Sequence, residues 1–169
     1  MSEVRCTTCG TPLEVVTDLA FGAPLHYDEI PEVERTARAT LASDTCTIDG
    51  RHFFVRGCLE IPIRGRSDTF MWGVWCSLSQ ENYRRYLALF EAAEVSAEGP
   101  YFGWLCNRIP GYPDTLLLKT NVRLRGHHNR PAIELEPTEH PLSVHQRQGI
   151  EPGELGRVLH EALHGRHAG

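Results

Sequence analysis

Asp49-Gly50-Arg51-His52-Phe53-Phe54-Val55-Arg56-Gly57-Cys58-Leu59-Glu60-Ile61-Pro62-Ile63 is the stretch whose reading decides the fold. Asp-Gly supplies the two positive-φ positions of a tight hairpin turn, so the segment before it, Thr45–Ile48, and the run after it pair as antiparallel strands. The run over 52–63 alternates. Phe53, Val55, Leu59 and Ile61 fall on one face, and His52, Phe54, Arg56, Cys58 and Glu60 on the other. The period of two recurs in Thr69–Leu78, where Phe70, Trp72, Val74, Cys76 and Leu78 share a face.

Outward from this core, residues 31–42 read as a short helix that starts at Pro31 and carries Glu32 and Glu34 in its first turn. Ser79 reads as the N-cap of a helix over 80–93, with Tyr83, Tyr86, Leu87 and Phe90 at i, i+3, i+4, i+7. Glu98-Gly99-Pro100 ends that helix. The aromatic, Gly/Pro-punctuated stretch from Tyr101 to Asp114 reads as a covering loop or short strand. Residues 115–125 and 132–136 alternate again, with Lys119, Arg123 and Arg125 outward on one and Glu134 and Glu136 outward on the other. That arrangement suits a charge-matched antiparallel pair. His140-Pro141 opens a helix that Gly149 stops, with Ile150 placed for the C-cap contact, and Pro152 opens a last helix.

Hairpin strands interrupted by helices, without regular βαβ alternation, predict an α+β fold: an antiparallel sheet with a few flanking helices and a CxxC tip at the N-terminus. The expected organisation is a single domain over 1–169, with an irregular segment over 1–28 and an α+β body over 29–169.

Composition narrows function by exclusion. The chain has 169 residues with 41% hydrophobic and 23% charged residues, an ordinary globular make-up. A formal net charge of −5 argues against nucleic acid as a partner, because counterion displacement needs a basic face. No apolar run is long enough to span a bilayer, and Met-Ser-Glu-Val-Arg-Cys lacks the apolar centre of a secretion signal. The expected compartment is the cytoplasm, where CxxC reads as metal or redox chemistry before disulfide.

Cys6-Thr7-Thr8-Cys9-Gly10 is half of a zinc knuckle. Two thiolates separated by two residues can reach one ion, and the glycine permits the positive φ that turns backbone N–H groups toward sulfur. Two further ligands must come from elsewhere. Cys46 begins a strand beside a polar turn where an N-terminal arm could dock. His140, before Pro141, reads as an N-cap held neutral by the helix dipole. The expected set is therefore Cys6, Cys9, Cys46 and His140 around a structural zinc. Cys76 lies on the apolar face and reads as core filler, while Cys58 and Cys106 stay open.

His160-Glu161-Ala162-Leu163-His164 matches HExxH, in which two histidines one turn apart bind zinc and the glutamate activates water. Leu155, Val158, Leu159, Ala162 and Leu163 form the apolar stripe of that helix, which sends His160 and His164 to the opposite, wet side. Only His167 follows as a third ligand, so the match reads as accidental. His52, Arg56 and Glu60 recur along one strand face and read as a solvated line with Arg56–Glu60 pairing.

Several stretches, taken in order, resemble the bacterial domain-of-unknown-function family 2199. They are the Cys6-x-x-Cys9-Gly10 tip, Ser43-Asp44-x-Cys46-x-Ile48-Asp49, Phe53-Phe54-Val55-Arg56-Gly57 and Leu59-Glu60-Ile61-Pro62. Trp72-Gly73-Val74-Trp75, Phe102-Gly103-Trp104-Leu105, Tyr112-Pro113-Asp114-Thr115, and Glu134-Leu135-Glu136 before His140-Pro141-Leu142 complete the set. The resemblance covers nearly the whole chain and implies no activity. It places Cys6, Cys9 and Cys46 in one pattern, and it departs at Cys76 and His145, which weakens a role for either. The function expected is a binding or interaction module with a structural zinc, whose aromatic stretch meets an unidentified protein or small molecule. The alternative is an enzyme with a cleft near His52, Arg56, Glu60 and His140.

Overall fold

The computed structural model describes residues 5, 6, 10, 12, 16–95 and 97–164. The hairpin at its centre follows the sequence pattern closely. β3 (Thr45–Ile48) turns through Asp49 and Gly50, both at positive φ, into β4 (His52–Pro62), and Arg51 N–H closes the turn onto Ile48 O at 3.1 Å. β4 then pairs with β5 (Thr69–Leu78) from Phe53↔Leu78 to Pro62↔Thr69 without a break.

The sheet does more than the pattern predicts, because it closes on itself. β6 (Tyr101–Leu105) pairs with β5, β7 (Lys119–Arg123) with β6, β8 (Ala132–Leu135) with β7, and β8 returns to β4 in parallel at Cys58↔Ala132. The result is a five-stranded ring, with β1 (Asp18–Ala20) added in parallel to β5 and β2 (Ala39–Leu41) added to β3. The α+β class stands, with five helices among the described residues around a sheet that is antiparallel except where β1 meets β5 and β8 meets β4. Charge matching between the last two strands is also present, as Arg123 Nε meets Glu134 Oε2 at 2.8 Å.

The helices are α1 (Leu25–Asp28), α2 (Glu32–Arg38), α3 (Gln80–Leu89), α4 (Pro141–Gln148) and α5 (Pro152–His164). α2 ends earlier than its pattern suggests. Ala39 turns extended to pair with Ile48, and Arg38 grips both oxygens of Asp49 at 3.1 Å each. Within 18–28, read as irregular, β1 and α1 are ordered by Trp75 Nε1 donating to Phe21 O at 2.9 Å and by Asn107, described below. Of the two readings of the stretch from Tyr101, covering loop or short strand, residues Tyr101–Leu105 take the strand. Tyr101, Gly103 and Leu105 are buried while Phe102 and Trp104 point outward. A Cβ on Gly103 would fall 2.4 Å from Ser77 O, so only glycine lets β6 lie this close to β5.

Two cores result. Inside the ring, Val55, Leu59, Trp72, Val74, Cys76, Leu105, Val122 and Ile133 pack with Tyr83 and Tyr86 of α3, Leu142 of α4, and Leu155, Val158 and Leu159 of α5. Outside it, Phe54 and Trp75 pack with Ile30, Cys46, Ile48 and Cys106. Cys76 is core filler as expected, and burial pushes its thiol far up in pKa.

The β8–β4 seam has one registered pair, and α4 completes it. Gln146 acts as a surrogate strand: its Oε1 accepts from Leu135 N–H and its Nε2 donates to Ile133 O, both at 2.8 Å. Gln146→Ala strips partners from two strand groups and should lower the unfolding free energy by about 1–3 kcal/mol. Gln146→Leu should not restore it, since shape without an amide leaves both groups unpaired; urea denaturation reads both variants.

Candidate metal centre

Cys6 is the first described residue of the N-terminal tip whose side chain is buried, at 2% exposure. Around it the chain is folded back on itself. Arg5 bridges Pro12, Gly10 N–H donates to Cys6 O at 2.9 Å, and Gly10 adopts φ +71°. That glycine conformation is the one the CxxCG pattern asks for. Cys6 Sγ lies 3.6 Å from His160 Nδ1, and one ligand atom each from Cys6, His160 and His164 all fall within 4.8 Å of one another. The two imidazole rings sit 5.2 Å apart between centroids, as expected one helical turn apart.

This corrects the expectation that His160 and His164 face a wet side of the helix; it does not bear on the reading of HExxH as an accidental protease match. The helical arithmetic is sound: Leu155, Val158 and Leu159 are buried in the ring core, and the histidines project away from them. Periodicity cannot show what covers the far side of a helix. Here it is the segment carrying Cys6, more than 150 residues earlier in the chain, and both histidines become half-buried beneath it. Glu161 stays exposed.

The other nominated ligands lie as follows. Cys9 falls outside the described residues. Cys46 is fully buried in the outer core against Phe54, Trp75 and Cys106, and burial pushes its thiol up to about 11, which disfavours the thiolate a metal requires. His140 is the N-cap of α4, as its position before Pro141 suggests. Its Nδ1 accepts Leu142 N–H at 3.1 Å, and its Nε2 faces the carbonyls of Pro113 and Asp114 at 3.2 Å each. Both ring nitrogens are thereby committed to backbone. Among the described residues, the group able to hold an ion is Cys6, His160 and His164, and neither Cys46 nor His140 joins it.

The polar face of β4 divides. His52 lines a cleft of about 520 Å³ between α1, α3 and β6, whereas Glu60 lines another of about 540 Å³ beside β8 and pairs with Arg125. Arg56 does not pair with Glu60 as the sequence suggested. It donates to Ser43 O at 3.4 Å and lines neither cleft, nor does His140.

One organising residue has no signal in the sequence. Asn107 is 2% exposed; its Oδ1 accepts Trp75 N–H at 2.7 Å and its Nδ2 donates to Ala23 O at 3.0 Å. It therefore fixes the segment before α1, and with it His26, against β5. A lone Asn in a Gly/Pro-rich stretch reads as a turn residue, and only the buried backbone on both sides reveals it as a clamp.

The sequence matches, over residues 5–150, the family described as "Uncharacterized protein conserved in bacteria (DUF2199)". No curated protein and no solved structure matches it. The match includes Cys6 and stops before α5, so the two histidines lie outside it. No helix among the described residues is long and apolar enough to cross a membrane.

Two histidines away from the metal group tie stability to pH. Burial holds His26 and His145 below the ordinary value of 6.5, His26 against the Phe54 ring and His145 against the Tyr112 hydroxyl at 2.8 Å. Each binds fewer protons folded than unfolded, so its contribution is complete above 6.5 and is lost as pH falls through the lowered value. For protein stripped with chelator, the urea midpoint should drop between about pH 7 and about pH 5. The double variant His26→Gln, His145→Gln should show a smaller drop.

Proposed function

Because this chain belongs to DUF2199, an uncharacterised family conserved in bacteria, we propose its function from its own geometry: a cytoplasmic binding module whose N-terminal tip is fastened to α5 by a structural zinc ion. The observation that carries the metal is the convergence of Cys6, His160 and His164. Zn–N and Zn–S bonds of about 2.0–2.3 Å in a tetrahedron put ligand atoms about 3.3–3.8 Å apart. Cys6 and His160 already have that spacing at 3.6 Å, and small rotations of the half-buried histidines bring in the third ligand. Thiolate and imidazole together favour zinc over the hard cations. Cys9 is assigned as fourth ligand on its CxxC spacing alone.

Two thiolates and two imidazoles leave no position for substrate water, so the ion acts on stability and not on bond-breaking. It would join the two ends of the described chain, closing a loop of more than 150 residues across the ring core. The partner-facing part of the module is the outer face of β6, where Phe102 and Trp104 are 42% and 39% exposed. The enzyme alternative draws less support, because His52 and Glu60 belong to separate clefts and Arg56 and His140 line neither.

Protein purified without chelator should carry one zinc per chain by elemental analysis. Cys6→Ser, His160→Ala and His164→Ala should lose it, whereas Cys46→Ala and His140→Ala should keep it. Cobalt-loaded protein should show thiolate-to-metal charge transfer that weakens by about half in Cys9→Ser. With free zinc at about 1,000 times its Kd, chelation should remove about 4 kcal/mol of stability. Metal-free protein, or stoichiometric zinc surviving in Cys6→Ser, overturns the clamp.

A further inference from the structure

The cleft of about 520 Å³ between α1, α3 and β6 is the concave surface nearest the exposed aromatics, and its size is that of a small-molecule site. Phe102 and Trp104 stand at its rim with ring centroids 5.1 Å apart and planes at 85°, forming a corner in which a flat ring stacks on one and meets the other edge-on. Leu117 completes the apolar rim at 52% exposure, and its backbone holds φ +65°. That conformation costs a side-chain-bearing residue about 1 kcal/mol or more. Its N–H is fixed to Leu105 O at 2.7 Å, so the strained residue is held beside the cleft without gaining burial.

The charge of the cleft runs against that of the molecule. The chain carries a net −5, yet the cleft lining contains no Asp or Glu and includes His26, Arg51 and His52. Among the described residues Arg51 forms no ion pair. Asp49, whose charge it feels, is held by two guanidinium nitrogens of Arg38, Nε and Nη2, and Glu29 acts on His26 from outside the lining. His26 Nδ1 is buried in the wall without a partner. An aromatic corner with a spare guanidinium at its edge recognises a planar ring bearing a negative group.

We propose that this cleft binds a small planar aromatic anion, with the ring against Trp104 and Phe102 and the anionic group on Arg51. This rests on the reading of the outer face of β6 as the contact surface of a binding module and names the class of its ligand. It does not depend on the zinc clamp, whose failure would appear in elemental analysis and leave this site intact.

Trp104 is the exposed tryptophan, with Trp72 and Trp75 at 2% and 0%, so indole fluorescence reports the cleft. The probes are AMP and 2-naphthoate, with adenosine and 2-naphthamide as their uncharged counterparts, titrated calorimetrically and by protection of Trp104 from iodide. At least one anion should bind, about tenfold or more tighter than its neutral counterpart. Arg51→Ala, an exposed change, should remove that preference, and Trp104→Ala should weaken anion and neutral compound alike. Circular dichroism of each variant separates lost binding from lost folding. The proposal fails if neither anion binds at millimolar concentration, if Arg51→Ala leaves the preference intact, or if sedimentation shows a dimer that shields Trp104 without ligand.

Discussion

The unbroken antiparallel ladder between β4 and β5 is the constraint on which the rest hangs. Because successive side chains alternate faces, one ladder serves two cores at once. Val55, Leu59, Trp72 and Val74 fill the ring, while Phe54 and Trp75 anchor the outer layer. The free edges of the pair are each shared by two neighbours. β3 and β8 divide the far edge of β4, and β1 and β6 divide that of β5. Ring closure, the seat of α1 and the position of the aromatic rim all follow from where those edges change partner.

Local chemistry made much of this legible. Asp49-Gly50 specified its turn, Ser79 and His140 their caps, and Gly149 its stop, because each acts on neighbours within a few residues. Ring closure was not legible, since period-two alternation marks a strand's faces and says nothing of which edge meets which. The stretch at Tyr101 reads as either loop or short strand for a related reason. Its outward positions hold Phe and Trp, so the polar half of the alternation is missing, and the burial pattern emerges only once Gly103 lies against Ser77.

The candidate metal group shows the limit most clearly. CxxCG is readable as half a site, whereas the histidine pair of HExxH reads as accidental and the missing ligands are expected at Cys46 and His140. Their meeting depends on the N-terminal tip crossing the outer side of α5, a contact between distant parts of the chain that no local pattern encodes. The apolar stripe of α5 located its buried side correctly and still misled, since a helix can be covered on both sides. The family match ends at residue 150, before this helix, so the two halves fall on either side of its boundary.

Gln146 gives the ring an asymmetric construction. Four joints are continuous ladders or strand pairs, and the fifth is a single backbone pair backed by a side-chain amide borrowed from a helix. A loop of sheet sewn shut by one stitch opens there before it frays anywhere else. Amide hydrogens flanking Ala132 and Cys58 would then trade with solvent well ahead of those in the central ladder, and the barrel would part into a flat sheet as its first step toward the unfolded chain.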